Sequence, residues 1–171
     1  EFYSQFSNRD IELVKSYLKK RYIKKKNSKK LGIVYDILHQ CDLKCIGCGT
    51  NAIYSGAMRL ENVQPSYEQI KYAFSKIKAY AESKQIPVFL NIGGGEPFLR
   101  QDIIEILKSA AEFFGVNGVG VDTNGTLEPS FDLIKEAMDY TSYVGISVNG
   151  LEDYHNWWAG NKRINPFKRS M

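Results

Sequence analysis

The stretch HQCDLKCIGCGTN, from His39 to Asn51, contains all three cysteines of the 171-residue chain. Cys41, Cys45 and Cys48 lie within eight residues, and no cysteine occurs elsewhere. An odd number of thiols cannot pair off completely, and a disulfide between Cys45 and Cys48 would close only a small, strained loop. The spacing therefore predicts reduced cysteines that hold a ligand.

The composition is typical of a globular domain. Apolar residues make up 43% and charged residues 25% of the chain, which is ordinary for a soluble protein. A chain of 171 residues can bury one hydrophobic core. No apolar run approaches the roughly 18 residues that a membrane span needs, and the N-terminus does not resemble a signal peptide. We therefore expect a cytoplasmic protein without a membrane partner, in a compartment where thiols stay reduced.

The charge pattern sets residues 1–30 apart. Nine of the 23 basic residues fall between Lys15 and Lys30, with Tyr17 and Tyr22 interleaved. Such a segment can bind nucleic-acid phosphates and stack on bases. A capping box and an apolar stripe at helical spacing favour a solvated helix instead: Ser7 with Asp10, then Ile11, Val14, Leu18 and Tyr22. We expect an N-terminal basic helical extension, with nucleic-acid binding as the less favoured alternative.

From Leu31 to the C-terminus, apolar strands alternate with amphipathic helices. The predicted strands are Leu31–Leu38, Pro87–Ile92, Gly118–Thr123 and Tyr143–Val148. Helices are predicted to begin at Pro65, Asp102 and Pro129, the first with a Ser66–Gln69 capping box. Their predicted buried residues are Ile70, Phe74, Ile77 and Ala81, then Ile103, Ile106, Leu107 and Ala110, then Phe131, Ile134 and Met138. The β-α-β-α-β-α-β order is typical of a parallel sheet covered by helices.

Each predicted strand is followed by an unusual motif. The four motifs are the cysteine loop, GGGEP at 93–97, TNG at 123–125 and SVNG at 147–150. The carboxyl ends of parallel strands share one edge of the sheet, and ligands bind at that edge. Glycine there indicates a positive φ or the close approach of a ligand to the backbone. The four motifs therefore predict one site.

The cysteine triplet admits two kinds of metal centre. Thiolates are soft ligands, so zinc and an iron–sulfur cluster are both candidates. Structural zinc needs a fourth protein ligand, which would have to be a carboxylate or a histidine, and His39 and His155 are the available histidines. A [4Fe–4S] cluster held by three cysteines keeps one iron open for a small molecule, and an open position is what a catalytic site needs.

The motifs CDLKCIGC, GGGEP, TNG and ISVNG, in this order and at successive strand ends, resemble the radical S-adenosylmethionine (SAM) enzymes. The resemblance covers roughly Leu31 to the C-terminus and implies a partial parallel (βα) barrel with about four βα units in residues 31–171. It implies that Cys41, Cys45 and Cys48 ligate a [4Fe–4S] cluster whose open iron is chelated by SAM. An electron from the reduced cluster then cleaves SAM to methionine and a 5′-deoxyadenosyl radical, which abstracts hydrogen from a substrate.

The resemblance also implies contacts and partners. Six residues match family positions that contact SAM or line its pocket: Gly94, Gly95, Glu96, Thr123, Asn124 and Ser147. The glycines and the carboxylate would receive the SAM amino group, and the serine would meet the ribose hydroxyls. GGGEP and TNG also have a purely structural explanation as tight turns. Implied partners are an electron donor such as flavodoxin or ferredoxin and a small-molecule or peptide substrate of unknown identity.

The cysteine loop departs from the family pattern at Gly47. An aromatic residue often stands at this position, before the third cysteine, and helps to hold adenine. With glycine there, the packing against adenine is expected from Ile46, Tyr54 or the backbone.

A second departure follows the fourth predicted strand. His155 matches a histidine of the family, but Asn149 and Asn156 replace acids, and Trp157–Ala159 replaces a basic segment. His155 is therefore either a substrate-side residue or a residue that caps a loop. The chain also ends soon after this strand, so we expect the core within 31–171 to be incomplete at its C-terminus.

The motifs resemble most closely the group that includes molybdopterin-cofactor biosynthesis and peptide-maturing enzymes. Two alternatives stay open. A glycyl-radical-enzyme activase is one, since some of these share the glycine of CIGC. A non-catalytic iron–sulfur or zinc-binding module is the other, although the intact cysteines, GGGEP and Ser147 argue against a degenerate remnant.

Overall fold

The computed structural model describes Glu12, Lys15, Ser16 and residues 29–50, 52–54, 64–127, 130–160 and 164–171, with the backbone alone at 53–54 and 130–131. Residues Leu31–Met171 form one compact unit. In the basic segment, the Lys15 ammonium donates to the Glu12 carboxylate at 2.8 Å, an i,i+3 pair. The predicted capping box, the apolar stripe and most of the lysines lie outside the described residues, so nucleic-acid binding there stays a prediction.

The described elements alternate as the sequence predicts. The strands are β1 (Leu31–Asp36), β2 (Gln40–Cys41), β3 (Ile53–Tyr54), β4 (Val88–Gly93), β5 (Val119–Thr123) and β6 (Tyr143–Ile146). The helices are α1 (Tyr67–Lys84), α2 (Ile103–Phe114), α3 (Ser130–Met138), α4 (Glu152–Ala159) and α5 (Pro166–Ser170). Short 3₁₀ turns span Pro97–Leu99 and Val116–Gly118. All four predicted strands begin and end within two residues of the observed ones, although β1 and β6 each stop two residues early.

Four strands form one parallel sheet in the order β1-β4-β5-β6. The register pairs Val34 with Asn91, Ile92 with Val121, and Asp122 with Gly145. Parallel neighbours need a crossover connection, and α1, α2 and α3 provide one between each successive pair of strands. This arrangement confirms the predicted α/β class with a parallel sheet. The short β2 and β3 form a separate parallel pair, which the sequence pattern did not predict.

One face of the sheet carries the hydrophobic core. Leu90, Ile92, Val119 and Val121 are fully buried there, together with Phe74 of α1. The opposite face is open: Val34 is 73% exposed, although the apolar run LGIVYDIL predicts a buried strand. Side chains alternate across a strand, so the apolar residues of β1 divide between a helix-covered face and an open one. Within the described ranges, no helix has both the length and the apolar composition that a bilayer crossing requires.

The capping and the burial predicted for the helices are mostly observed in the structure. The Ser66–Gln69 capping box of α1 is confirmed by reciprocal hydrogen bonds of 2.8 and 3.2 Å. All four predicted inward residues of α2 are buried, whereas Ile77 of α1 is only half-buried. The prediction for Met138 is wrong, because its side chain is 60% exposed. The inner face of α3 carries Ala137, four residues after Leu133, and Met138 lies one step beyond it on the outer side.

Candidate cofactor site

A cleft of about 380 Å³ lies at the carboxyl ends of the parallel strands. It is lined by eight of the nine residues predicted to bind the cluster or SAM: Cys41, Cys45, Cys48, Gly94, Gly95, Thr123, Asn124 and Ser147. The structure therefore brings all four motifs together at one edge. Glu96 is the predicted residue that the described lining does not include. Lining residues that the sequence did not single out include Asp36, Thr50, Asn91 and Asp122.

The cysteine loop directs backbone N–H groups at its sulfur atoms. The Leu43 N–H donates to Cys41 Sγ at 3.4 Å, and the Ala52 N–H donates to Cys48 Sγ at 3.3 Å. A turn closed by Cys48 N–H and Cys45 O at 3.3 Å brings the second and third cysteines together. The β2–β3 pair joins the two ends of the loop. Hydrogen bonds of this kind favour sulfur in its charged form, as a metal ligand requires.

The loop is fastened to the C-terminal end of α4, a helix that the sequence analysis did not predict. The Lys44 N–H donates to Ala159 O at 3.0 Å, and the Ile46 N–H donates to Trp158 O at 2.9 Å. The last carbonyls of a helix have no partner inside it, so the loop uses them. At Gly160, where φ is +66°, an added Cβ would lie 2.2 Å from Lys44 O. Glycine is therefore required where the loop and the helix end meet.

Gly47 lies against the indole of Trp158. A Cβ at Gly47 would be 2.5 Å from Trp158 Cη2 and 2.7 Å from Cζ2. The glycine of CIGC is therefore explained by an aromatic ring supplied from α4. Of the two side chains that were expected to pack against adenine, the structure describes only that of Ile46. Ile46 is 58% exposed and is absent from the described lining, and the side chain of Tyr54 lies outside the described residues.

The glycines of GGGEP meet the backbone that leads into the cysteine loop. At Gly94, with φ +127°, an added Cβ would lie 2.3 Å from Leu38 O, and at Gly95 it would lie 2.1 Å from Gln40 O. The Gly95 N–H donates to Leu38 O at 2.6 Å, and the next N–H donates to Gln40 O at 2.9 Å. The sequence predicted a close approach to the backbone by a ligand. In the structure the protein's own backbone makes that close approach.

Glu96 is fully buried and reaches from the end of β4 to the end of β5. Its Oε1 accepts from Thr123 Oγ1 at 2.7 Å and from the Phe98 N–H at 3.1 Å. Its Oε2 accepts from the Asn124 N–H at 2.7 Å. Burial raises the pKa of this carboxyl to about 7, although the three hydrogen bonds oppose the rise. Glu96 therefore positions Thr123 and Asn124 in the cleft wall, and its own oxygens are engaged by protein donors.

Asn124 connects the TNG motif with the first cysteine. Its Nδ2 donates to Asp42 Oδ1 at 2.7 Å and lies 3.8 Å from Cys41 Sγ. Thr126 Oγ1 donates to the other oxygen of Asp42, and Ser170 Oγ of α5 donates to Asn124 O at 2.7 Å. No pattern in the sequence singled out Asp42, Thr126 or Ser170 as parts of the site. Asp42 lies inside the cysteine motif, next to Cys41, and this position was the only feature of the sequence that indicated a role in the site.

The donor set fits a cluster with an open position better than structural zinc. Burial raises the pKa of the Cys41 thiol to about 12, and Asp42 and Glu96 add to the rise, so metal binding has to displace its proton. Neither His39 nor His155 is among the described residues of the cleft wall. No group of three or more His, Cys, Asp or Glu side chains in the described ranges is arranged around one metal position. Three thiols of one loop are thus the soft donors that face the cleft.

His155 is buried and is not among the described residues that line the cleft. Its Nδ1 accepts from the Asn149 N–H at 3.1 Å, and its ring packs edge-on against Phe167 at 6.0 Å between centroids. These contacts favour the loop-capping alternative over a substrate-side role. Ser147, by contrast, lines the cleft, and its N–H donates to Thr123 O at 2.9 Å, which places the SVNG segment beside TNG.

Comparisons with known proteins agree with this geometry. Among curated relatives, Fe-coproporphyrin III synthase of Methanosarcina barkeri is 31% identical over 135 residues, which are 78% of this chain and 31% of that protein. The 7,8-dihydro-6-hydroxymethylpterin dimethyltransferase of Methanocaldococcus jannaschii is 27% identical over 80% of this chain and 26% of its own length. A GTP 3′,8-cyclase of Haemophilus influenzae is 28% identical over 68% of this chain and 32% of its own length. The chain thus spans about a third or less of these relatives, which are all named as enzymes.

A solved structure is similar as well. The crystal structure of Streptococcus suis SuiB bound to S-adenosylmethionine matches 96% of this chain and 34% of that chain, with a TM-score of 0.53 and 20% sequence identity. At this identity the likeness shows the fold alone, and it confirms the predicted fold class. The family model of the radical SAM superfamily matches residues 35–171. The chain therefore belongs to the radical SAM superfamily, a family of enzymes whose cofactors are SAM and a [4Fe–4S] cluster.

Proposed function

We propose that Cys41, Cys45 and Cys48 of this chain hold a [4Fe–4S] cluster and that the protein is a radical SAM enzyme. When bound and reduced, the cluster would supply the electron that cleaves SAM to methionine and a 5′-deoxyadenosyl radical, which abstracts hydrogen from a substrate. One observation carries the proposal: the three thiols share a single cleft with the GGG, TNG and SVNG motifs. Neither histidine stands among its described wall residues to complete a zinc site.

The residues around the thiols would stabilise the bound form. The N–H groups of Leu43 and Ala52 point at the sulfurs of Cys41 and Cys48, and such donors offset negative charge on thiolates. The Asn124 amide lies 3.8 Å from Cys41 Sγ and is oriented by its bond to Asp42. These contacts hold the loop in place beside the other motifs of the cleft.

The polar wall of the cleft would take the amino acid end of SAM and its ribose. Gly94 and Gly95 line this wall, and Thr50 Oγ1 donates to Gly94 O at 3.1 Å. Thr123 and Ser147 line the same wall. Glu96 would act indirectly, because its carboxylate is buried and bonded to Thr123 and Asn124. The substrate would enter over the open face of the sheet, where Asp36, Asn91 and Asp122 border the cleft.

Subgroup, partners and location remain parts of the proposal. The names of the relatives support the group that includes molybdopterin-cofactor biosynthesis, and a small-molecule or peptide substrate is not specified further. The glycine of CIGC, which suggested a glycyl-radical-enzyme activase, is explained by the contact of Gly47 with Trp158, so it no longer favours that alternative. An electron donor such as flavodoxin or ferredoxin and a cytoplasmic location, where thiols stay reduced, complete the proposal.

Anaerobic reconstitution with iron and sulfide, followed by electron paramagnetic resonance of the reduced protein, tests the proposal. We expect a cubane signal that changes on addition of SAM, with accumulation of 5′-deoxyadenosine. Cys45→Ser is expected to abolish the signal. Gly49→Ala serves as the matched control, because it lies in the same loop and an added Cβ would meet nothing within 4 Å. Tightly bound zinc, or a cluster whose spectrum ignores SAM, would support the non-catalytic module instead.

A further inference from the structure

Trp158 is the one aromatic residue among the described side chains that line the cleft. Its ring is half-buried. An added Cβ at Gly47 would be 2.5 Å from Cη2 of the ring, and the Tyr154 ring lies nearly parallel to it, at 6.4 Å between centroids with an interplanar angle of 19°. The backbone of Trp158 is tied to the cysteine loop through the Ile46 N–H. The ring thus has a defined place beside Cys45 and Cys48.

The wall of the cleft is chemically divided. Gly94, Gly95, Thr123 and Ser147 line the strand-end side with small or polar residues. Trp158 supplies a flat apolar surface on the side of the cysteine loop. SAM is divided in the same way, since its amino acid end and ribose are polar and its adenine is a flat aromatic base. Purines stack on indole rings, and such stacking is among the stronger contacts that a base makes with protein.

We propose that Trp158 is the residue that holds the adenine of SAM by stacking, an inference that rests on the proposed function. Gly47 has no side chain because the indole occupies the space that one would fill. The pair of Gly47 and Trp158 forms one binding surface from two distant parts of the chain. Trp158 is therefore a positioning residue for the adenosyl group, recruited from α4 instead of from the cysteine loop.

Binding measurements on the reconstituted protein test this assignment with three probes: SAM, 5′-deoxyadenosine and methionine. Trp158→Ala is expected to weaken binding of the two adenine-containing probes about tenfold or more. Binding of methionine is expected to stay within about twofold, since stacking concerns only the base. Trp158→Phe is expected to recover most of the affinity. Trp157→Ala is the matched control, because Trp157 is 59% exposed and is absent from the described lining.

Fluorescence provides a readout that does not depend on turnover. The chain contains two tryptophans, so Trp157→Phe leaves Trp158 as the single reporter and Trp158→Phe leaves Trp157. We expect SAM and 5′-deoxyadenosine to change the emission of the first variant and to leave that of the second unchanged. If Trp158→Ala loosens the loop and loses the cluster, the emission of the two Trp→Phe variants still tests whether the adenine contacts Trp158.

The outcomes separate the inference from the proposed function. If wild-type protein binds SAM and Trp158→Ala binds it equally well, the stacking role is overturned and the proposed function stands. Equal losses for methionine and the adenine-containing probes would show that Trp158 only supports the loop, which also overturns the inference. Failure of the reconstituted wild type to bind SAM at all would overturn the proposed function, and the inference with it.

Discussion

The glycines at the end of β4 and the glycine inside the cysteine loop border the same cleft, but they meet different kinds of neighbours. Gly94 and Gly95 face carbonyl oxygens of the segment that leaves β1, and Gly47 faces the ring of Trp158. Backbone in a parallel sheet cannot move without breaking its hydrogen bonds, whereas a side chain can rotate. The strand end is therefore a rigid frame, whereas the contact of Gly47 is made with a side chain that can turn.

Further contacts strengthen the rigid side. Arg100, which is almost fully buried, donates to Ile37 O at 3.1 Å and to Pro65 O at 2.9 Å. Its guanidinium also forms a two-pronged ion pair with Asp102 at 2.7 and 2.8 Å, and these bonds hold the pKa of Asp102 below its usual range. Two-pronged pairs of this kind fix geometry as well as charge. The residue after β1, the residue before α1's N-cap and the start of α2 are thus held together by Arg100.

The largest expected effect comes from Gly95→Ala, which places a Cβ 2.1 Å from Gln40 O. We expect the free energy of unfolding to fall by about 3 kcal/mol or more, because backbone must shift to make room. Urea unfolding of the cluster-free protein measures this loss of unfolding free energy. Gly32→Ala in β1 is the control, since nothing lies within 4 Å of its added Cβ. A small loss at Gly95, similar to that at Gly32, would contradict the rigid frame.

The next effect concerns Glu96, which joins the ends of β4 and β5. Its pKa of about 7 in the folded protein lies above the ordinary value of 4.5, so ionisation costs folding free energy. The contribution of Glu96 to stability is therefore full below about pH 4.5 and falls as the pH rises to about 7. We expect the difference in unfolding free energy between wild type and Glu96→Gln to change by about 3 kcal/mol over this range.

Urea unfolding of the cluster-free protein at pH 4.5 and at pH 8 measures this change. Glu105→Gln, on the exposed side of α2, is the control and is expected to retain the pH dependence of the wild type. If the unfolding free energy of Glu96→Gln changed with pH as that of the wild type does, the pKa of Glu96 would be the same in the folded and unfolded protein. The hydrogen bonds from Thr123 and Asn124 would then offset the effect of burial.

The smallest expected effect is that of Gly47→Ala, where the neighbour is a side chain. Its Cβ would overlap the Trp158 ring, which can turn away, so we expect a loss of only about 1 kcal/mol. Most of this loss should disappear in a Trp158→Ala background, because the ring that causes it is absent. A double-mutant cycle by urea unfolding measures the coupling. Strict additivity would show that the contact between Gly47 and Trp158 contributes nothing.

Patterns of local sequence predicted most of the fold. The capping box at Ser66 and the apolar spacing of α2 depend only on residues close in the chain, and both are confirmed. Met138 was wrongly placed because Leu133–Ala137 and Ile134–Met138 have the same spacing, and only packing on the sheet selects between them. Helix α4 was not predicted because it is short, EDYHNWWA, and Leu151 at its N-cap makes no side-chain cap that would mark its start.

The sequence by itself determined the chemistry of this protein: the clustered thiols, the glycine-rich strand ends and their order along the chain. These features depend on residue type and spacing, which are fully visible in one dimension. The tertiary structure alone decided which atoms meet. Glu96 turns toward Thr123 and Asn124, and Trp158 reaches Gly47 across 111 positions of the chain. Such contacts depend on the crossing of distant segments, so local spacing does not specify them.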